Sequence, residues 1–133
     1  MNIVAIIQAH MGSTRLPGKV LLDLYGEPML MRCVNRVRYA DRINEVVVAT
    51  SDLPCDDTIE NFCRERKISF FRGSDNDVLD RYYKTAVAYK ADVVVRVTSD
   101  CPLIDPDIVN QCVDTFIKKK NIDYVSNTFP LRT

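Results

Sequence analysis

Neither sign of charge is in excess in this chain. Eighteen Lys and Arg balance eighteen Asp and Glu, with a single histidine. That balance excludes an overall field able to recruit nucleic acid or an anionic membrane, so any anion site must be local. Long apolar runs are also missing. No run approaches the ~20 residues of a membrane span, and the N-terminal IVAII is too short, and lacks the basic leader, for a signal peptide. A cytoplasmic protein with a small-molecule partner is expected. No CxxC pair occurs among the five cysteines at 33, 55, 63, 101 and 112, and one histidine is too few to complete a zinc site with them. Cys33, Cys55, Cys63 and Cys112 fall instead on the apolar stripes of predicted helices, where a thiol packs as a small hydrophobe. Internal repeats, low-complexity tracts and linkers are absent as well. A chain of 133 residues with 47% hydrophobic content reads as one domain with a sizeable core.

What is present alternates between strand and helix. IVAII (3–7), EVVVAT (45–50), ISFFR (68–72) and DVVVRVT (92–98) are short β-branched or aromatic runs of near-continuous apolarity, as in strands covered on both faces. Between them, 28–40 places Leu30, Cys33, Val34 and Val37 on one face, and 56–67 does the same with Ile59, Phe62 and Cys63. A third helix over 76–90 stacks Val78, Tyr82 and Ala86. A fourth over 105–120 opens with Asp105 as cap and Pro106 in the first turn, and turns Ile108, Val109, Cys112, Val113 and Phe116 inward. DYVSN (123–127) reads as a last strand. Crossovers this long demand parallel strands, which predicts an open, doubly wound α/β sandwich. The basic clusters at 64–67 and 118–120 close helices, where the macrodipole favours cations.

Immediately after the first strand the sequence turns to QAHMGSTRLPGKVL. In open α/β sheets ligands bind beyond the carboxyl ends of strands. Gly12 lets the backbone approach a ligand, Ser13 and Thr14 offer hydroxyls, and Arg15 and Lys19 offer a fork and a point charge for phosphate oxygens. The combination describes a polyphosphate cradle. It is neither a Walker loop, because Val20 follows the lysine, nor the dinucleotide GxGxxG.

MGSTRLPGKVL, FRGSDNDVLDRY and RVTSDCPLIDP, in this order, resemble the cytidylyltransferases that make activated sugars: the relatives of CMP-Kdo and CMP-sialate synthetases, and most closely the spore-coat polysaccharide biosynthesis type. The resemblance spans essentially the whole chain. It implies a three-layer α/β/α sandwich with a mainly parallel sheet, the nucleotide-diphospho-sugar transferase (glycosyltransferase-A-like, Rossmann-like) fold. The implied reaction is attack of a sugar or sugar-acid oxygen on the α-phosphorus of CTP, with loss of pyrophosphate, in surface polysaccharide or glycan biosynthesis. Carried over by position, Ala9, His10, Met11, Gly12, Ser13, Thr14, Arg15 and Lys19 would wrap the triphosphate. Arg15 and Lys19 would neutralise the departing pyrophosphate, and Arg72, Gly73 and Ser74 would meet the base or ribose. Asp100 would bind Mg²⁺ as a hard oxygen ligand.

The chain departs from the family pattern in two places. His10 stands where the family usually has an arginine, which weakens the grip expected on phosphate. The chain also reads as truncated at its C-terminus, without the part that brings the acceptor site, a second metal carboxylate and the dimer contacts of a full-length protein; residues 1–133 are therefore expected to be the nucleotide-binding part of the domain, inactive alone. Rival readings are a sugar-1-phosphate nucleotidylyltransferase and a non-catalytic nucleotide-binding or assembly module. A glycosyltransferase would want an Asp-x-Asp pair where TSDCP has only Asp100. Bland readings stand beside each site residue: Arg15 and Lys19 as loop cations, Asp100 as a turn former, Ser74 and Asp75 as caps of the next helix, His10 as a structural residue.

Overall fold

The computed structural model describes residues 1–12, 18–99, 101–119 and 121–126. Strand β1 (Ile3–Gln8) is followed by a two-residue antiparallel hairpin, β2 (Asp23–Leu24) and β3 (Glu27–Pro28), and by helix α1 (Met29–Arg38). Strand β4 (Glu45–Ser51), helix α2 (Asp57–Arg66), strand β5 (Ser69–Gly73), helix α3 (Val78–Ala88), strand β6 (Val93–Thr98) and helix α4 (Pro106–Lys118) complete it. The hairpin was not expected from sequence. Gly26 turns it at φ 91°, a conformation that glycine alone adopts without strain, and its amide is held by Asp23 Oδ2 at 3.0 Å.

The sheet order is β5-β4-β1-β6, and every described pair is parallel. β1 has a neighbour on each side and helices over each face, so Val4, Ala5, Ile6 and Ile7 are fully buried. Alternate side chains serve different layers. Ala5, Ile7, Val46 and Val48 join Leu30, Cys33, Val34 and Val37 of α1 and Ile59 and Cys63 of α2 in one core. Val4, Ile6, Val47 and Ala49 meet Tyr82 and Ala86 of α3 in a second. Burial pushes the Cys63 thiol up to about 12.

The predicted helices appear, with termini shifted by a residue or two. Asp105 Oδ1 caps α4 through the Asp107 amide at 2.8 Å, with Pro106 in the first turn as expected. Asp77, rather than Ser74 or Asp75, caps α3 by accepting from the Asp80 amide at 3.0 Å; Ser74 Oγ accepts from the Asp77 amide at 3.1 Å.

Three expectations fail. Residues 123–126 form no strand, and Asn127 lies outside the described residues; a Val-containing pentapeptide with polar neighbours needs a sheet edge to pair with, and propensity alone does not provide it. Cys55 is exposed in the turn at Pro54–Asp56 rather than on a helical stripe. β6 is not covered on both faces: Val94, Arg96 and Thr98 are exposed, because α3 packs over β5, β4 and β1 and stops short of the sheet edge.

Candidate active site

β1 and β6 are neighbours between which the strand order reverses. After β1 the chain passes through α1 to β4 and β5, whereas β6 is reached by the return crossover through α3. Such a switch point opens a crevice at the carboxyl ends of the two strands. Gln8 pairs with Thr98, and the Ser99 amide donates to Gln8 O at 3.2 Å, so the strands leading into the cradle and into TSDCP end side by side.

The base of the cradle is held by backbone. Ala9 is buried, its amide donating to Ala49 O at 3.0 Å. The Met11 amide donates to Asp56 Oδ1 at 2.7 Å, and Met11 O accepts from the Gly18 amide at 2.8 Å. Gly18 has φ 74°, the left-handed conformation that lets the chain turn sharply back, and it leads into a 3₁₀ turn at Lys19–Leu21 pinned by buried Val20. His10 and Gly12 are exposed, and a Cβ placed on Gly12 would meet nothing within 4 Å among the described residues. Lys19 makes no ion pair among the described residues. Ser13, Thr14, Arg15 and Asp100 lie outside the described residues.

The second group of expected contacts borders a concavity of about 560 Å³ at the ends of β4 and β5, lined by Asp52, Leu53, Phe71, Arg72, Gly73, Ser74, Asp75, Asn76 and Lys84. Gly73 and Ser74 face it. Arg72 is otherwise engaged. Its Nε donates to Ser51 O at 2.8 Å, one terminal nitrogen to Leu53 O at 2.7 Å, and the other to Asp57 at 2.7 Å and Glu60 at 3.1 Å. The hydrogen bond Arg72 donates to Asp57 raises the guanidinium pKa, and hydrogen bonds from Arg64 and Arg72 lower that of Glu60. In this arrangement Arg72 staples the end of β4 to α2.

Sequence reading missed Arg81 and Asp56. Arg81 is 2% exposed and donates to Ser74 O at 2.9 Å, while its Nε has no partner among the described residues. It lies beneath Gly73, where an added Cβ would approach Arg81 Cγ to 3.1 Å, so glycine permits this contact. The signal available in sequence was a charged residue at an inward helical position, beside Tyr82. Asp56 is 1% exposed and accepts from Met11 and from Ser51 Oγ. Its signal was the doubled aspartate 56–57, one carboxylate more than a helix start requires.

Among the described residues no group of three or more His, Cys, Asp and Glu is placed to hold a metal, and no helix is long and apolar enough to cross a membrane.

Residues 4–132 match the family model described as Cytidylyltransferase. The chain is 42% identical over 132 residues to the spore coat polysaccharide biosynthesis protein SpsF of Bacillus subtilis, covering 95% of this chain and 55% of that one. A solved cytidylyltransferase of Leptospira borgpetersenii superposes with a TM-score of 0.85 at 40% identity, over 91% of this chain and 51% of that one. A CMP:2-keto-3-deoxy-manno-octonic acid synthetase solved in complex with CTP gives 0.78 at 27% identity, over 92% and 50%. The chain thus spans about half the length of the curated relatives it matches. The parallel four-stranded sheet between helices is that of the nucleotide-diphospho-sugar transferase fold these neighbours share. With the strand order, the motif order and the family match in agreement over nearly all its length, the chain belongs to the cytidylyltransferase family.

Proposed function

We propose that this chain supplies the nucleotide-binding part of an enzyme that transfers CMP from CTP to a sugar or sugar acid, with release of pyrophosphate, in surface polysaccharide or glycan biosynthesis in the cytoplasm. The observation that carries this reading is the switch point: a loop base clamped at Met11 and Gly18, ending beside the strand that leads to TSDCP, with Lys19 in no ion pair among the described residues.

Phosphoryl chemistry of this kind needs positioning and charge neutralisation more than covalent participation. Exposed Gly12 and its neighbours Ser13 and Thr14 offer donors to phosphate oxygens, and Arg15 and Lys19 balance the charge that accumulates on the leaving pyrophosphate. Gly73 and Ser74, at the 560 Å³ concavity, are offered to the nucleoside. Arg72 enters the reading as a support for that wall, since its donors already bond protein groups. Asp100 is the one carboxylate within TSDCP and would hold a metal there through oxygen. Such an oxygen ligand fits a hard cation such as Mg²⁺, which would neutralise charge on the phosphates when bound. The acceptor must hold its oxygen in line with the α-phosphorus, positioning that can account for about 7–11 kcal/mol of a barrier.

The test is pyrophosphate release from CTP by the full-length native protein with Mg²⁺ and a panel of sugar acids. Turnover that falls at least about a hundredfold in Asp100→Asn is expected, a few kcal/mol of transition-state charge stabilisation. Binding of CTP without turnover on any acceptor would identify a non-catalytic module. Equal turnover of UTP or TTP with sugar 1-phosphates would identify a sugar-1-phosphate nucleotidylyltransferase.

A further inference from the structure

Asp56 occupies the N-cap position of α2 and is of the residue class that caps best, yet its side chain makes no capping hydrogen bond to its own helix. The carboxylate instead reaches 45 residues back along the sequence. Oδ1 accepts from the Met11 amide at 2.7 Å, and Oδ2 accepts from the Ser51 hydroxyl. Ser51 Oγ accepts in turn from the Leu53 amide at 3.2 Å, which leaves its proton for Asp56. The group is 1% exposed, and no Lys, Arg or His pairs with it among the described residues. Burial of a carboxylate without a cation is costly, and the neutral donors here, with the start of α2, are what offset it.

The consequence lies in the peptide after Met11. Met11 N is directed inward to Asp56, and Met11 O accepts from Gly18, so both peptide planes at Met11 are oriented. In a trans peptide the N–H points opposite to the carbonyl. The Gly12 amide, on the same plane as Met11 O, is therefore turned away from Gly18, and Gly12 itself is exposed. An amide turned this way is an anion donor.

We infer that Asp56 is a positioning residue of the nucleotide site: through the Met11 amide it sets the base of the 9–19 loop and so aims the Gly12 amide at the nucleotide's phosphates. This rests on the reading that the loop takes a triphosphate. Asp56 does not itself touch nucleotide.

The experiment uses the full-length native protein, Asp56→Ala and Asp56→Asn, with two readouts: hydrogen exchange of the Met11 and Gly18 amides by NMR, and affinities for CTP and CMP by calorimetry. Asp56→Ala is expected to lose protection at Met11 and to weaken CTP about tenfold, the value of one charge-assisted bond, with a much smaller change for CMP. Asp56→Asn keeps an acceptor for Met11 and can donate to Ser51 Oγ, so it should retain Met11 protection and bind CTP within about threefold of wild type. The inference is overturned if Asp56→Ala leaves Met11 protected, or weakens CTP and CMP equally. Should Asp56→Ala fail to fold, Asp56→Asn decides: CTP affinity lost while Met11 stays protected overturns it, and both retained supports it. If wild type binds no nucleotide, the functional reading fails, and the Met11 exchange rates still decide whether Asp56 anchors the loop.

Discussion

The described ends of the 9–19 loop and the end of β5 at Arg72 and Gly73 lie along the same carboxyl edge of the sheet, and each carries a basic side chain. At the first, the backbone does the anchoring: Ala9, Met11 and Gly18 use their amides and carbonyls on protein partners, and Lys19 has no ionic partner among the described residues. At the second, the cation itself is the anchor. Arg72 places its nitrogens on Ser51, Leu53, Asp57 and Glu60, and its side chain is only 19% exposed. A basic residue within a motif can serve a ligand only to the extent that its donors are not already taken by the protein.

This contrast can be broken most sharply at Arg72. Arg72→Met should lower the unfolding free energy by about 2–3 kcal/mol, because several charge-assisted bonds go and the Ser51 and Leu53 carbonyls lose a partner. Denaturant unfolding of the wild type and variant measures it. A stable variant with CTP affinity lost would instead make Arg72 a ligand contact.

The converse substitution, Lys19→Ala, should leave stability within about 0.5 kcal/mol. It should weaken CTP by roughly ten- to hundredfold, about 1.5–3 kcal/mol, while CMP changes little, since the β- and γ-phosphates are the intended partners. Calorimetry with both nucleotides checks this, and equal losses would move Lys19 off the pyrophosphate.

A smaller effect separates the regions by pH. Hydrogen bonds from Arg64 and Arg72 hold the Glu60 carboxyl below its ordinary 4.5. A depressed folded-state pKa gives stability that is present above the unfolded value and is lost as pH falls from 4.5 through the folded value. Thermal melts below pH 5 should show this loss in the wild type and a reduced loss in Arg72→Met. An unchanged acid slope in Arg72→Met would show that Arg64 alone, at 2.9 Å from Glu60, holds the carboxyl.

Strand and helix were legible in the sequence wherever a single face or run was decisive: IVAII and EVVVA for strands, and the Leu30, Cys33, Val34, Val37 stripe for a helix that buries all four. DYVSN was misread because strand formation needs a neighbour, which five residues cannot specify. Cys55 was misread because Pro54 starts a 3₁₀ turn, which shifts the helical phase by the residues that precede α2. The loop after β1 stood out in the sequence as a local concentration of glycine, hydroxyls and cations. The fate of Arg72 was not legible, because its partners come from β4 and α2, 12 to 21 residues away.

By itself the sequence determined the α/β alternation, the four main strands and the family, all carried by residues adjacent along the chain. Tertiary structure alone decided that β1 lies between β4 and β6, so that the strands leading into the two motifs end side by side. It also decided that Asp56 faces Met11 rather than its own helix, and that Arg81 lies beneath Gly73. The physical reason is the same in each case: hydrogen bonds and burial join groups by distance in space, and periodicity along a chain reports only which face a residue occupies, not what the fold brings to meet it.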